Sequence, residues 1–361
     1  MIKPLTSLRF FFALIVFLHH IQFVPESNVL FIKLYNNILY EGYLGVSFFF
    51  ILSGFILALN YKNKLLSNNI SFKEFWIARI ARIYPMHLIT LIIVLPLYLC
   101  DFWANSILWI AKFLSNCFLV QSFIPAKFFY FSFNGPSWSI SDEMFFYLLF
   151  PFIILWYFKY PKARYISLIL LLFIPIVIYF SPEHLKFRLF YINPLFRIAD
   201  FITGILLYNI YERYKKLKWL NSKLTATLIE FASISLFFLF FAFHRFIPQG
   251  YRYSCYYWIP MLMIILVFSY QSGYLSGILS KRVFVLLGEI SFSFYLIHQL
   301  LINYIVNFNT KFMLINNEYI LIVVILILSL ILSYISYVAI ELPSNKYIKA
   351  RFTKVMATKK I

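Results

Sequence analysis

Apolar runs long enough to cross a membrane recur along the whole chain, and they constrain its fold more than any other feature. A bilayer core takes a helix of about 20 mostly apolar residues. Such runs lie at 5–24, 42–61, 84–102, 138–158, 164–181, 192–211, 224–243, 256–271, 283–306 and 319–340. Composition agrees, since 63% of residues are hydrophobic and only 12% charged, well outside the range of ordinary soluble domains. The expected fold class is all-α, a polytopic integral membrane protein of about ten transmembrane helices. The first run is followed by no small-residue cleavage pattern, so it reads as a span rather than a signal peptide.

Charge sets the expected topology. The formal net charge of +19 would raise the question of nucleic acid in a soluble protein. Here the basic residues sit in short clusters between apolar runs, so membrane lipids are expected as partners and nucleic acid is not. With ten spans and a cytoplasmic N-terminus, 23 of the 32 Lys and Arg face the cytoplasm. If the ambiguous stretch 106–124, which holds Lys112, Asn116 and Gln121, also crossed, every later cluster would change sides. It is therefore expected to be a re-entrant or interfacial helix, with both termini cytoplasmic. Residues 1–345 then form the membrane domain and 346–361 a basic cytoplasmic tail. Cys100, Cys117 and Cys255 show no paired spacing, so neither disulfides nor a metal site is expected.

Polar groups inside the apolar runs point to chemistry. Arg9 and His20 stand eleven residues apart in LTSLRFFFALIVFLHH, which places them on one helix face about 16 Å apart along the axis. An arginine at a span end by itself reads as a topology anchor. A histidine near the bilayer centre reads by default as functional, because ionisable groups there are costly. His19 is rotated by about 100° from that face and is expected to serve packing or helix-to-helix hydrogen bonding. Arg79 and Arg82 are i, i+3 neighbours before Pro85. Their fixed positive charge and forked geometry suit a phosphate, though lipid headgroups would attract them equally. With Arg9 they would form a three-arginine anion basin.

Two further stretches carry candidates. NGPSWSISDEMFF opens the fourth run with Trp138, Ser139, Asp142 and Glu143. Ser or Asp there is commonly a helix cap and Trp an interfacial anchor, but the adjacent carboxylates could supply a general base or a hydroxyl-orienting group. The ninth run holds Glu289, Ser291, Ser293, Tyr295 and His298, read as either a structural hydrogen-bond network or a functional cluster.

These stretches together resemble membrane acyltransferase family 3. The matching segments are Arg9 with His20 as R-x10-H, GYLGVSFFFILSGF (42–55), RIARIYP (79–85), WSISDE (138–143), FRIADFITG (196–204), GEISFSFYLIH (288–298) and IELP (340–343). Seven in order, across almost the whole chain, are specific. The pattern is departed from at Ser47 and Met144, where relatives often carry acidic residues, so neither of those carboxylates can be essential here. Some relatives also continue into an extracytoplasmic domain after the tenth span. Any equivalent help with the acceptor is expected from another protein, or is unnecessary.

The resemblance implies an acyltransferase that moves an acyl group, often acetyl, from acyl-coenzyme A to a hydroxyl of a surface glycan, such as lipopolysaccharide or capsule, or of a lipid-linked sugar precursor. It implies that Arg9, Arg79 and Arg82 hold the phosphates of acetyl-coenzyme A, with the pantetheine arm running up the first helix to His20. His20 would act as general base or as an acyl-carrying nucleophile; burial favours the neutral ring that either role needs. Glu143 would orient His20 or the acceptor, Trp138 would offer a flat surface to a sugar ring, and Ser139 and His298 would complete the substrate-binding set. No metal is expected. The expected location is a bacterial inner (cytoplasmic) membrane. A rival reading is a transporter or flippase, which uses glycine-broken spans around a midplane site; the absence of an inverted repeat and the arginine-to-histidine spacing count against it.

Overall fold

A computed structural model describes residues 2–24, 28–215 and 222–358. Lys216 and Lys218 of one expected cytoplasmic cluster, and Lys359 and Lys360 of the tail, lie outside the described residues. Among the described residues the chain is all helical, with no strand. The helices of nine or more residues, in chain order, are α1 (Lys3–His19), α2 (Val29–Asn37), α3 (Gly45–Leu66), α4 (Phe72–Val94), α5 (Ser106–Cys117), α6 (Trp138–Lys159) and α7 (Pro161–Phe180). They continue as α8 (Pro194–Tyr214), α9 (Lys223–Phe243), α10 (Trp258–Ser269), α11 (Arg282–Phe312), α12 (Glu318–Ser336) and α13 (Leu342–Thr358).

Among the described residues, seven helices are long and apolar enough to cross a membrane, or eight if one bent pair counts as a single span. Ten were expected, and the difference has local causes. The helix α1 covers 17 residues, ending at His19 where the apolar run was expected to continue to 24. The run at 192–211 breaks: Glu183–Ile192 and Pro194–Tyr214 meet at 51°. Pro194 has no N–H to continue a preceding helix and suits the first turn of the next, and Asn193 caps that turn by accepting from the Leu195 amide at 2.9 Å. The run at 256–271 yields only the short apolar helix Cys255–Ser269. The stretch 106–124 is neither a full span nor one helix, because α5 stops at Cys117 and a single turn, Gln121–Phe123, follows.

The chain divides into two compact units built from interleaved stretches. The first comprises Met1–Phe12, Leu44–Ser71 and Phe145–Glu289. In it α3 and α8 approach so closely that a Cβ on Gly54 would sit 2.0 Å from the Phe201 carbonyl oxygen, and one on Gly204 1.9 Å from that of Ile51. Small residues at such crossings let two backbones pack in an apolar medium. Beside this crossing Arg197 and Asp200, both fully buried, pair at 2.8 Å. Arg197 also donates to Ser47 Oγ at 3.1 Å and to the Tyr253 carbonyl at 2.6 Å, and Asp200 accepts from the Trp258 indole. Ser47, where an acid is common in the resembling family, is therefore a hydrogen-bond acceptor for a charge already neutralised by Asp200.

The second unit comprises Ala13–Tyr43, Phe72–Met144 and Ile290–Ile361. Leu91 and Val94 of α4 pack with Leu300 of α11 and Phe133 in one apolar cluster. Around it the irregular chain between α5 and α6 is tied down by side chains. Asn116 donates to Ser132 and accepts from Ser137, Gln121 donates to the Ser137 carbonyl, Asn134 donates to the Leu296 carbonyl, and the His87 ring bonds the Asn116 carbonyl at 2.9 Å. Non-helical backbone inside an apolar medium needs such internal partners. Leu119 and Phe133 both adopt positive φ, 54° and 57°, a conformation bulky side chains rarely take, so the segment is held by its tertiary bonds rather than by local preference.

Candidate active site

The last turn of α1 delivers two histidines to different partners. The His19 ring bonds the Tyr40 carbonyl through Nδ1 at 2.6 Å, and the His19 carbonyl accepts from the Tyr35 hydroxyl at 2.7 Å. Gly42 brings this loop onto α1, since a Cβ there would lie 2.1 Å from the Ile15 carbonyl oxygen. His19 thus anchors the loop to the helix end.

His20 points to another histidine. Its Nδ1 lies 2.8 Å from the Val16 carbonyl oxygen and 3.3 Å from Nε2 of His298. His298 in turn has Nδ1 3.1 Å from the Phe294 carbonyl oxygen. A carbonyl only accepts, so in the neutral rings both Nδ1 atoms carry the hydrogen; this tautomer is assigned from the partners. The Nδ1–H of His20 is then shared between Val16 O and the lone pair of His298 Nε2. Nε2 of His20 keeps its own lone pair. His298 is fully buried, walled by the rings of Phe17, Phe294 and Tyr295.

Beside His20 lies a cavity of about 360 Å³, lined also by Gln22, Gln299, Asn303 and Asn307. Trp138, Ser139 and His298, expected to touch substrate, do not line it. Trp138 opens α6 as a buried side chain, 3% exposed, and offers no open face to a sugar. Ser139 is occupied by the Pro136 carbonyl at 2.9 Å and by the Tyr295 hydroxyl at 2.8 Å. The local sequence offered an interfacial anchor and a helix cap, and the resemblance a substrate contact; here the helix start is folded into the unit. Asp142 is fully buried and Glu143 partly so, within the first two turns of α6.

The cations form a second locus. Arg79 and Arg82 lie in the first half of α4, partly exposed. Lys349 of α13 is close enough to feel both of their charges. It belongs to the expected basic tail, and its place beside the arginines was not foreseen. Arg9 lies in the first compact unit, in the N-terminal half of α1. The level of the arginines relative to the histidines follows from helix geometry. Leu91 packs in one cluster with Leu300, and the Tyr304 hydroxyl donates to the Ile93 carbonyl at 2.6 Å, so α4 and α11 run in the same direction. At 1.5 Å per residue, Arg82 and Arg79 stand roughly 10 and 15 Å along the axis from the level of His298.

An imidazole that lines a cavity, backed by a second imidazole, with three cations roughly 10–15 Å away along the helix axis, could hold an anionic carrier and move a proton at its far end. The amides of the cavity escaped sequence reasoning, although Gln299, Asn303 and Asn307 at four-residue spacing in an apolar helix are a readable polar stripe. Among the described residues, no three His, Cys, Asp or Glu side chains converge as metal ligands.

The chain is similar to several known proteins. The chain is 40% identical over 162 residues to acyltransferase MdmB of Streptomyces mycarofaciens, covering 43% of this chain and 39% of that one. It is 28% identical over 305 residues to a provisionally named acetyltransferase of Acidianus two-tailed virus, 82% of each chain. It is 27% identical over 299 residues to a provisionally named O-acetyltransferase of Staphylococcus aureus, covering 73% of this chain and 46% of the relative. The match thus spans less than half the length of the Streptomyces and staphylococcal proteins. No solved structure matches the chain. The acyltransferase domain family matches residues 4–338, nearly the whole chain, and the protein belongs to this family, membrane acyltransferase family 3.

Proposed function

We propose that this acyltransferase moves an acetyl group from cytoplasmic acetyl-coenzyme A to a hydroxyl of a surface glycan or of a lipid-linked sugar precursor, in a bacterial inner membrane with both termini cytoplasmic. The observation that carries the reading is the tautomer of His20: Nδ1–H is held by Val16 and His298, which leaves the Nε2 lone pair free on a ring that lines a cavity. The weight of Lys and Arg on one side of the expected topology supports the orientation.

In this reading Arg79, Arg82 and Lys349 hold the phosphates of the donor, and Arg9, eleven residues before His20, is the sequence's further candidate for that role. Guanidinium forks suit phosphate oxygens. The donor supplies the thioester. His20 Nε2 accepts the proton of the acceptor hydroxyl as its oxygen bonds to the thioester carbonyl carbon. The carbon–sulfur bond breaks as the carbonyl re-forms, and the proton passes from Nε2 to the leaving sulfur. His298 stabilises the transient imidazolium by accepting from its Nδ1–H, the part a carboxylate plays in a catalytic triad. Glu143 orients His20 or the incoming hydroxyl.

Protein in nanodiscs, incubated with acetyl-labelled acetyl-coenzyme A and lipid-linked glycans from bacterial membranes, tests this. Label should enter the glycan as an alkali-labile ester, with one thiol released per acetyl transferred. Label that stays on coenzyme A while the folded protein moves the unmodified lipid across the bilayer would contradict it.

A further inference from the structure

The cavity beside His20 is lined in an unusual way for an apolar helix. Gln299, Asn303 and Asn307 stand at i, i+4 and i+8 on α11, one face of the helix, and all three reach the cavity. The rest of its wall, apart from His20 and Gln22, is Phe23, Ile302 and Val306; among the described residues no Lys, Arg, Asp or Glu lines it.

The row is internally ordered but incomplete. Gln299 Nε2 donates to Asn303 Oδ1 at 2.9 Å. Gln299 Oε1 is then left buried with no donor. An amide oxygen shut away from water is unfavourable until something donates to it. Asn303, its oxygen engaged, still has Nδ2 hydrogens to give. A donor site and an acceptor site side by side, one residue beyond the histidine that holds His20, match a ligand whose groups both donate and accept. Hydroxyls do this; carboxylates and phosphates only accept, and would also enter a space without a counter-charge, at a large desolvation cost.

The geometry points to the amide row of α11 as the element that reads the acceptor, and to an uncharged sugar ring with neighbouring hydroxyls as what it takes. One hydroxyl gives its proton to His20; its neighbour donates to Gln299 Oε1 and accepts from Asn303. Uronates and phosphorylated sugars are excluded. The inference rests on the acyltransferase reading with His20 as the base.

The test uses full-length protein in nanodiscs and paired probes: methyl glucoside against methyl glucuronide, and methyl galactoside against methyl galacturonide. Ligand-observed NMR reads binding, acetyl transfer reads KM and kcat, and calorimetry reads coenzyme A affinity. The neutral member of a pair should bind and be acetylated at least tenfold better than its acidic partner. Asn303→Asp should raise the acceptor KM tenfold or more, with coenzyme A affinity within twofold of wild type. Asn307→Ala is the second variant should Asn303→Asp unfold, and should raise KM in the same direction. Equal use of the acidic probes, no binding of either neutral probe, or a KM unmoved in the folded variants would overturn the inference. Absence of coenzyme A binding to wild type would instead overturn the acyltransfer reading on which it rests.

Discussion

His298 Nε2 and His20 Nδ1 lie 3.3 Å apart, although 278 positions separate them in the chain. The Val16 carbonyl sets the tautomer of His20, and this contact gives its Nδ1–H a second acceptor. Replacing His298 with Phe, which the surrounding rings of Phe17 and Phe294 accommodate, removes one of the two acceptors of the imidazolium N–H and leaves the Val16 carbonyl. A hydrogen bond to a charged group contributes about 1.5–3 kcal/mol, so kcat should fall roughly 10- to 150-fold with donor affinity unchanged. Steady-state kinetics with acetyl-coenzyme A checks this; an unchanged kcat would remove His298 from the mechanism.

Lys349 extends the arginine pair of α4 from a different helix. Arg82→Ala and Lys349→Ala should each raise the apparent KM for acetyl-coenzyme A, by about tenfold if one charge-assisted bond of roughly 1.5 kcal/mol is lost, and leave kcat nearly as it was. Added salt should weaken wild-type donor binding more than that of the double variant. Calorimetry at two ionic strengths decides. Equal salt dependence in both proteins would place the donor phosphates elsewhere.

Glu143 keeps its shape as Gln but loses its charge. Glu143→Gln should lower turnover by roughly 10²-fold, the scale of a group acting in proton transfer, while calorimetric affinity for coenzyme A is preserved. Loss of donor binding instead would assign Glu143 to the other end of the site.

Arg197 and Asp200 form a fully buried ion pair. Asp200→Ala strands a guanidinium between Phe50 and Tyr191, and should cost about 3–5 kcal/mol. Thermal unfolding in detergent would show a large drop, partly restored when Arg197 is replaced by Leu as well. An unchanged midpoint for Asp200→Ala would mean that another group neutralises Arg197.

How much of this was legible depends on whether the information is local. The long helices α4, α6, α7, α9, α11 and α12 follow from run length, because an apolar stretch of 20 residues has few alternatives. Breaks do not follow: hydropathy is blind to the N–H missing at Pro194, and to the turn that stops α1 at His19. His20 stood out because an ionisable group in an apolar run is costly wherever the chain goes. His298 stood out for the same reason, but its pairing with His20 did not, because a contact across 278 positions exists only once the unit has folded. Trp138 and Ser139 entered the substrate-binding set through the family resemblance, and tertiary packing buries both. Lys349 looked like one more topological charge, and only the packing of α13 on α4 shows it as a neighbour of Arg79 and Arg82.

The most direct measurement compares wild type with His20→Ala, purified in nanodiscs, for acetyl-coenzyme A binding by calorimetry and for thiol release with and without acceptor. The expected result is that both bind the donor with similar affinity and that the variant loses about 10²- to 10⁴-fold in turnover. A His20→Ala variant that binds and turns over like wild type would contradict the central claim, that the imidazole at the end of α1 carries the proton in acyl transfer.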